Sequence, residues 1–223
     1  MVLENEKTPS SEGSNRRLKI KVCGMRDKAN IEALVQLPVD YIGFIFYPQS
    51  PRFVGERIEP SIINTIPSRI KKVGVFVNAT IHEVLCKAEE NALDCLQLHG
   101  SETPDYCNAL KEKGFTIIKA FKAEPELLTC ETANYRYACD YLLFDNPTTK
   151  FGGSGDKFDW QILKQQKLSL PFFLSGGIAP GDEETINNLE IKGLYSIDIN
   201  SRFEVEPGLK DIELIRNFIS HIK

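Results

Sequence analysis

The sequence predicts an α/β protein of one domain, folded as a (β/α)8 TIM barrel. Two observations predict this fold. Short apolar runs rich in β-branched and aromatic residues recur about every 25 residues, and amphipathic stretches with helix-capping residues separate them. The runs are apolar throughout rather than alternating, which is typical of parallel strands buried on both faces. An eight-fold alternation without a break in composition favours a closed barrel over an open, doubly wound sheet.

Eight segments are predicted as strands. In chain order they are 18–22, 41–46, 72–77, 93–98, 115–121, 140–144, 171–174 and 194–199. The chain of 223 residues is close to the roughly 250 residues of a typical single barrel. Residues 1–17 are polar and lack the apolar stretch of a secretory signal. We therefore expect a disordered tail at 1–17 and a barrel domain at 18–223.

Helix signals fill the gaps between these strands. Asp27 and Thr80 each precede an amphipathic stretch and are good N-caps. Thr103 and the following proline predict another helix start, which Gly114 ends. A helix is also expected around Phe158–Trp160, and a last one over 209–222.

Composition excludes several classes of function. The 27 basic and 31 acidic side chains give a net charge of −4, so a nucleic-acid partner is not expected. No apolar run approaches the roughly 20 residues that cross a bilayer, so no membrane association is expected. The six cysteines include no C-x-x-C pair and the three histidines are scattered. This pattern predicts reduced thiols, a cytoplasmic protein and no metal site. The expected partner is a small molecule, and a monomer and a homodimer are both compatible with the sequence.

In an α/β barrel, functional residues lie at the carboxyl ends of the strands. Cys23 directly follows the first predicted strand, beside Gly24. It is either a small buried apolar residue or a functional thiol. A functional thiol has to form the thiolate, so its pKa must fall below about 8.5, and the nearby Arg26 or a helix start would help.

The loops after strands 2 and 4 hold two more candidates. Arg52 follows two prolines that stiffen its loop. It is either a solvated side chain or a planar fork for a substrate carboxylate. His99 follows strand 4, where it either lines the cavity with Gln97 or caps the next helix.

The loops after strands 6, 7 and 8 complete the candidates. Asp145 directly follows strand 6 and is either a turn residue or a cavity carboxylate. The glycine-rich loop that contains Gly153 follows it and is either a linker or a mobile lid. Gly176 and Gly177 follow strand 7, and a polar turn with Ser201 follows strand 8. Barrels often bind phosphate with backbone amides at this place.

Taken together, the motifs resemble phosphoribosylanthranilate isomerases of tryptophan biosynthesis. The matching segments are KVCGMRD, GFIFYPQSPRFV, VGVFVN, LQLHG, LLFDN with GGSGDKFDW, FLSGGIAP and SIDINSRFEVEPGLKD. They run in order through nearly the whole predicted barrel. The resemblance implies a cofactor-free and metal-free barrel enzyme that catalyses the Amadori rearrangement of N-(5′-phosphoribosyl)anthranilate.

The resemblance also implies residue roles. Cys23 matches the general base of the family and Asp145 its general acid. Arg52 matches the arginine that binds the anthranilate carboxylate, and Asp198 a polar residue close to the anthranilate.

Five further residues complete the expected substrate site. Gly177 and Ser201 fall where backbone groups hold the phosphate, and Gly176, Gly153 and His99 are also expected to bind substrate. Arg202 stands where many members have glycine, which adds both bulk and positive charge. Acid–base chemistry near neutral pH predicts a raised pKa for Asp145 and a lowered pKa for Cys23.

Other phosphosugar barrels fit the residues less well. Histidine-pathway isomerases perform the same rearrangement with two aspartates, whereas this chain has a cysteine after strand 1. Pentose-phosphate epimerases use histidine-bound metal, and indole-glycerol-phosphate synthase relies on lysines and a longer N-terminal segment. A phosphate-ligand sensor without catalytic activity is the alternative from another functional class.

Overall fold

The computed structural model describes residues 17–55, 58–63, 65–124, 128–146 and 158–223. Eight parallel strands close into a barrel, in which each strand pairs with the next and the last pairs with the first. The strands are β1 (Lys19–Cys23), β2 (Tyr41–Ile45), β3 (Lys71–Phe76), β4 (Cys95–Leu98), β5 (Thr116–Lys122), β6 (Tyr141–Asp145), β7 (Phe172–Leu174) and β8 (Leu194–Ile199). The predicted fold class is confirmed, and every predicted strand overlaps an observed one.

Helices follow the strands on the outside of the barrel. They are α1 (Lys28–Leu34), α2 (Pro60–Ile63), α3 (Ile81–Glu90), α4 (Pro104–Lys111), α5 (Leu128–Ala133), α6 (Glu183–Asn187) and α7 (Ile212–Ser220). Asp27, Thr80 and Thr103 cap α1, α3 and α4 through their side chains, as predicted. The helix expected around Phe158–Trp160 after β6 is a 3₁₀ helix, Trp160–Gln165, with hydrogen bonds between residues three apart.

The expected helix over 209–222 begins later than predicted. After β8 the chain makes a short 3₁₀ turn, Ser201–Phe203, and an antiparallel hairpin of β9 (Glu204–Glu206) and β10 (Leu209–Lys210). Asp211 then caps α7 by accepting a hydrogen bond from the backbone N–H of Leu214. Pro207 and Gly208 form the tight hairpin turn, so residues 209–210 pair with β9 instead of joining the helix.

Strand alternation divides the side chains between two layers. Ile20 and Val22 of β1 point outward into the main core between strands and helices. The alternate residues of this strand, Lys21 and Cys23, point inward and lie inside the barrel. Leu189 and Ile191, which the sequence left open between core and interface, are buried in the outer core.

Aromatic rings close the amino-terminal end of the barrel. Phe173 packs edge-on against Tyr41, Tyr141 and Tyr195, with ring centroids 5.2 to 5.6 Å apart. The hydroxyls of Tyr41 and Tyr195 are hydrogen-bonded at 2.9 Å. Because this end is filled, the carboxyl ends of the strands hold the cavity.

The predicted tail, 1–17, lies outside the described residues except for Arg17. That side chain pairs with Asp40 at 2.9 Å and donates to the carbonyl of Pro38. The chain is therefore anchored to the barrel one residue before the predicted domain boundary.

Candidate active site

A cavity opens at the carboxyl ends of the strands and brings four of the predicted site residues together. Cys23 of β1, His99 after β4, Asp145 of β6 and Asp198 of β8 all line it. A second cavity of about 610 Å³ adjoins the first at His99 and Asp145. Residues from four separate strand ends therefore share one site, and their roles in it stay predictions.

Cys23 occupies a space that its neighbours leave for it. Gly43 is its register partner on β2, and a Cβ atom at Gly43 would come within 2.7 Å of the Cys23 Sγ. Gly24 follows with a φ of +78°, a conformation that L-residues rarely adopt. The strand thus ends in a sharp turn that keeps the thiol at the cavity wall.

Two charged groups lie beside Cys23 inside the barrel. Lys21 and Asp198 form a fully buried ion pair with Nζ and Oδ2 2.9 Å apart. Oδ1 of Asp198 is buried without a hydrogen-bond partner among the described residues. Burial raises the pKa of Asp198 although Lys21 opposes the shift. Burial acts to lower the pKa of Lys21, but the charges of Asp198 and Cys23 and the hydrogen bonds to them together outweigh burial, so the pKa of Lys21 is also raised.

Asp145 is held by groups from β4 and from its own loop. Its Oδ2 lies 3.4 Å from Nε2 of His99, and its Oδ1 accepts a 2.8 Å hydrogen bond from the backbone N–H of Asn146. Nε2 of Gln97 lies 2.9 Å from Nδ1 of His99. Donation by this amide fixes the tautomer that carries a proton on the His99 Nε2, facing Asp145.

The expected pKa directions of Cys23 and Asp145 are wrong for the protein alone. Burial raises the pKa of Cys23, and the nearby cations Lys21 and Lys210 only partly offset it. Burial opposes ionisation of Asp145 as well, but the hydrogen bonds from His99 and Asn146 and the charges of His99 and Lys21 together outweigh it and lower the pKa of Asp145. The sequence indicated His99 as a cavity residue without placing it beside Asp145, and it gave Lys21 and Lys210 no role.

Arg52 is buried beside the Cys23–Gly24 turn and does not line the cavity that holds Cys23. Its Nε and Nη2 donate to the carboxylate of Glu204 at 2.7 to 3.0 Å. A Cβ atom at Gly24 would come within 2.8 Å of Cδ of Arg52 and 2.9 Å of Oδ1 of Asn200. The arginine is therefore neither solvated nor mobile, because Glu204 and Gly24 fix its position.

Comparison with known proteins decides the family. The family model for N-(5′-phosphoribosyl)anthranilate (PRA) isomerase matches residues 20–221. A relative from Parabacteroides distasonis, N-(5′-phosphoribosyl)anthranilate isomerase, is 47% identical over 205 residues, covering 91% of this chain and 92% of the relative.

The chain belongs to the PRA isomerase family. The predicted family and the predicted enzyme class, an isomerase of tryptophan biosynthesis, are confirmed.

Solved PRA isomerases share the barrel. The Thermotoga maritima structure is 30% identical with a TM-score of 0.81, covering 92% of this chain and 98% of that one. Another PRA isomerase structure, in complex with reduced 1-(o-carboxyphenylamino)-1-deoxyribulose 5-phosphate, is 27% identical with a TM-score of 0.77. It covers 92% of this chain and 97% of its own.

The predicted phosphate-binding residues of this PRA isomerase lie on the loops after β7 and β8. Gly176 and Gly177 have φ values of +83° and +74°. A Cβ atom at Gly176 would come within 2.7 Å of the Asn146 backbone nitrogen and 3.2 Å of Oδ1 of Asp145. Ser201 begins the 3₁₀ turn after β8. Gly153 and its loop lie outside the described residues, so their predicted role stays a prediction.

The sequence reasoning proposed that Gln97 lines the cavity with His99, and both do. It missed five other residues of the site: Lys21, Gly43, Asn200, Glu204 and Lys210. One of them carried a usable signal. Lys21 is a charged residue within an apolar strand, two positions before Cys23, so strand alternation places both on one face. Glu204 and Lys210 lie in the matching segment SIDINSRFEVEPGLKD, but they received no role because no hairpin was predicted there and Lys210 was expected in the last helix.

Two features are absent from the described part of the chain. No cluster of three metal-ligating side chains occurs in 17–55, 58–63, 65–124, 128–146 and 158–223. In the same residues no helix has the length and apolar character needed to cross a bilayer.

Proposed function

We propose that this PRA isomerase converts N-(5′-phosphoribosyl)anthranilate to 1-(2-carboxyphenylamino)-1-deoxyribulose 5-phosphate by general acid–base catalysis. The observation that carries the proposal is the shared cavity. A thiol and a carboxyl group, Cys23 and Asp145, line it from separate strand ends in a chain of this family.

The rearrangement needs one acid and one base. The acid protonates the furanose ring oxygen as the ring opens to a Schiff base. The base then removes the proton from C2′, and the resulting enolamine tautomerises to the ketone. Each proton transfer by a positioned side chain typically contributes about 10²–10⁴-fold in rate.

Cys23 is the proposed base. Its thiol is buried, which disfavours the thiolate, but Lys21 and Lys210 favour it. A ligand that covers the thiol excludes water, which otherwise screens charges. The attraction between the Cys23 thiolate and the two lysines then becomes stronger.

Asp145 is the proposed acid, so its carboxyl has to be protonated before each turnover. In the protein alone the pKa of this carboxyl is lowered, and it is ionised near neutral pH. The Cys23 thiolate and the phosphate of a bound substrate are negative charges in the same site, and both raise the pKa of Asp145. The carboxyl then takes up a proton from solvent and donates it to the ring oxygen.

The remaining predicted residues bind the ends of the substrate. Arg52 takes the anthranilate carboxylate, and Asp198 lies near the anthranilate ring. Backbone groups of Gly177 and Ser201 hold the phosphate beside Gly176, and Gly153 also binds the substrate. Support comes from the place of the two glycines after β7 and from their positive φ values, a turn conformation of the kind in which backbone amides bind anions.

The rate of substrate loss, followed by the fluorescence of the anthranilate group, tests the proposal. Cys23→Ala and Asp145→Asn should each lower kcat at least 10²-fold while the far-ultraviolet circular dichroism stays unchanged. Cys86→Ala and Asp105→Asn are matched controls on α3 and α4 and should retain the wild-type rate. Normal turnover in Cys23→Ala or Asp145→Asn would overturn the assigned role of that residue.

A wild-type protein that binds the substrate without converting it would support the sensor alternative. The rate should be the same with and without EDTA, because the proposed steps use protein groups alone. A cytoplasmic location and the choice between monomer and homodimer stay predictions.

A further inference from the structure

The hairpin after β8 forms a buried charge cluster around Arg52. Glu204 accepts hydrogen bonds from Nε and Nη2 of Arg52, and its Oε1 lies 2.6 Å from Nζ of Lys210. The three side chains are each less than 10% exposed. We call them the Arg52–Glu204–Lys210 triad, and its net charge is one positive unit.

Backbone and side-chain contacts fix the triad in place. The Gly208 N–H donates to Glu204 at 3.1 Å. Nζ of Lys210 also lies 2.6 Å from Oδ1 of Asn200, which lines the cavity. The triad thus borders the Cys23 site through Asn200 and through the close packing of Arg52 on Gly24.

The two edges of the Arg52 guanidinium are used differently. A guanidinium presents donors on a side edge, Nε with one Nη, and on an end edge formed by the two Nη groups. Glu204 occupies the side edge, while Nη1 makes no hydrogen bond to the described residues. The end edge therefore keeps donors for a second carboxylate.

We propose that Glu204 is a positioning residue that sets the orientation of Arg52 for the substrate carboxylate, with Lys210 offsetting the charge of Glu204. The proposal rests on the proposed function, because it names how that site recognises the anthranilate carboxylate. Without Lys210 the Arg52–Glu204 pair is neutral, and a neutral pair attracts a carboxylate less than the positive triad does. An arginine held in place also loses less side-chain entropy on binding than a free one.

Two product analogues distinguish a loss of Arg52 positioning from a structural disturbance of the whole site. The first is reduced 1-(o-carboxyphenylamino)-1-deoxyribulose 5-phosphate, and the second is the same molecule without the carboxylate. In the wild type the carboxylated analogue should bind more tightly. Glu204→Gln should raise its Kd at least tenfold and leave the Kd of the second analogue within twofold.

Matched variants make the result specific. Glu206→Gln changes an exposed glutamate of the same hairpin and should leave both Kd values unchanged. Glu204→Asp keeps the charge but withdraws the carboxylate by one methylene. It should reproduce the selective loss if Glu204→Gln does not fold. In an Arg52→Ala background the Glu204 substitutions should have no further effect on the carboxylated analogue.

Each result has one meaning. A selective loss that disappears in Arg52→Ala supports the proposal. Equal weakening of both analogues, or no weakening by Glu204→Gln or Glu204→Asp, overturns it. A wild type that binds neither analogue and does not turn over the substrate refutes the proposed function instead.

Discussion

At the residue scale, His99 controls the ionisation of Asp145. Its Nε2 is 3.4 Å from the carboxylate and is the main reason that the pKa of Asp145 lies below its usual value. His99→Asn should raise the pKa of Asp145, since burial then acts with less opposition. The carboxyl carbon chemical shift of Asp145, followed by NMR as a function of pH, measures this change.

A histidine far from Asp145 provides the control, and the lowered pKa of Asp145 also predicts how stability depends on pH. His82→Asn removes an exposed histidine of α3 and should leave the pKa of Asp145 unchanged. A lowered pKa means that ionised Asp145 stabilises the fold above its unfolded value of about 3.9, and this contribution is lost as the pH falls through the folded-state pKa. An unchanged Asp145 pKa in His99→Asn would contradict the assigned cause.

At the element scale, Asn30 of α1 attaches the β9–β10 hairpin to the barrel. Its side chain donates to the carbonyl of Lys210 and accepts from the Lys210 N–H, both at 2.8 Å. Asn30→Ala leaves both buried backbone groups without these partners. We expect the free energy of unfolding to fall by about 1–3 kcal/mol in urea denaturation.

Asn217→Ala provides the comparison for Asn30→Ala. Asn217 is exposed on α7, so its removal should change the free energy of unfolding by less than about 0.5 kcal/mol. Equal effects of the two substitutions would show that Asn30 does not secure the hairpin.

At the scale of the whole molecule, the aromatic cluster that stabilises the barrel and the cavity with the proposed catalytic residues lie at opposite ends of the strands. Phe173 is fully buried among three tyrosines at the amino-terminal end. Phe173→Ala should lower the free energy of unfolding by about 3–5 kcal/mol in urea denaturation. The kcat of the folded fraction should stay near the wild-type value, because the cavity with Cys23 lies at the other end.

Tyr137→Ala is the matched change on the surface. Tyr137 is 74% exposed, so its removal should cost little stability. A large loss of kcat in the folded fraction of Phe173→Ala would show that the two ends are coupled.

The sequence predicted the elements that depend on local signals. Strand limits agree within about two residues because each strand is a continuous apolar run bounded by turn or capping residues. The hairpin at Glu204–Lys210 was missed because its strands are short and partly charged, which is not a strand pattern. The positions of Cys23 and Asp145 followed from the rule that barrel sites lie at strand ends.

The contacts that set the chemistry needed the tertiary structure. Lys21 and Asp198 are 177 positions apart and Arg52 and Glu204 are 152 apart, so no local pattern indicates either pair. Both pairs form because closure of the barrel brings β8 and the hairpin beside β1.

The sequence by itself determined the order of strands and helices, the family, and the strand ends that carry the cysteine and the aspartate. The tertiary structure alone decided which charged groups surround them, and so reversed the expected pKa directions of Cys23 and Asp145. The physical reason is that strand formation depends on neighbouring residues, whereas a pKa depends on burial and on charges brought close from distant parts of the chain.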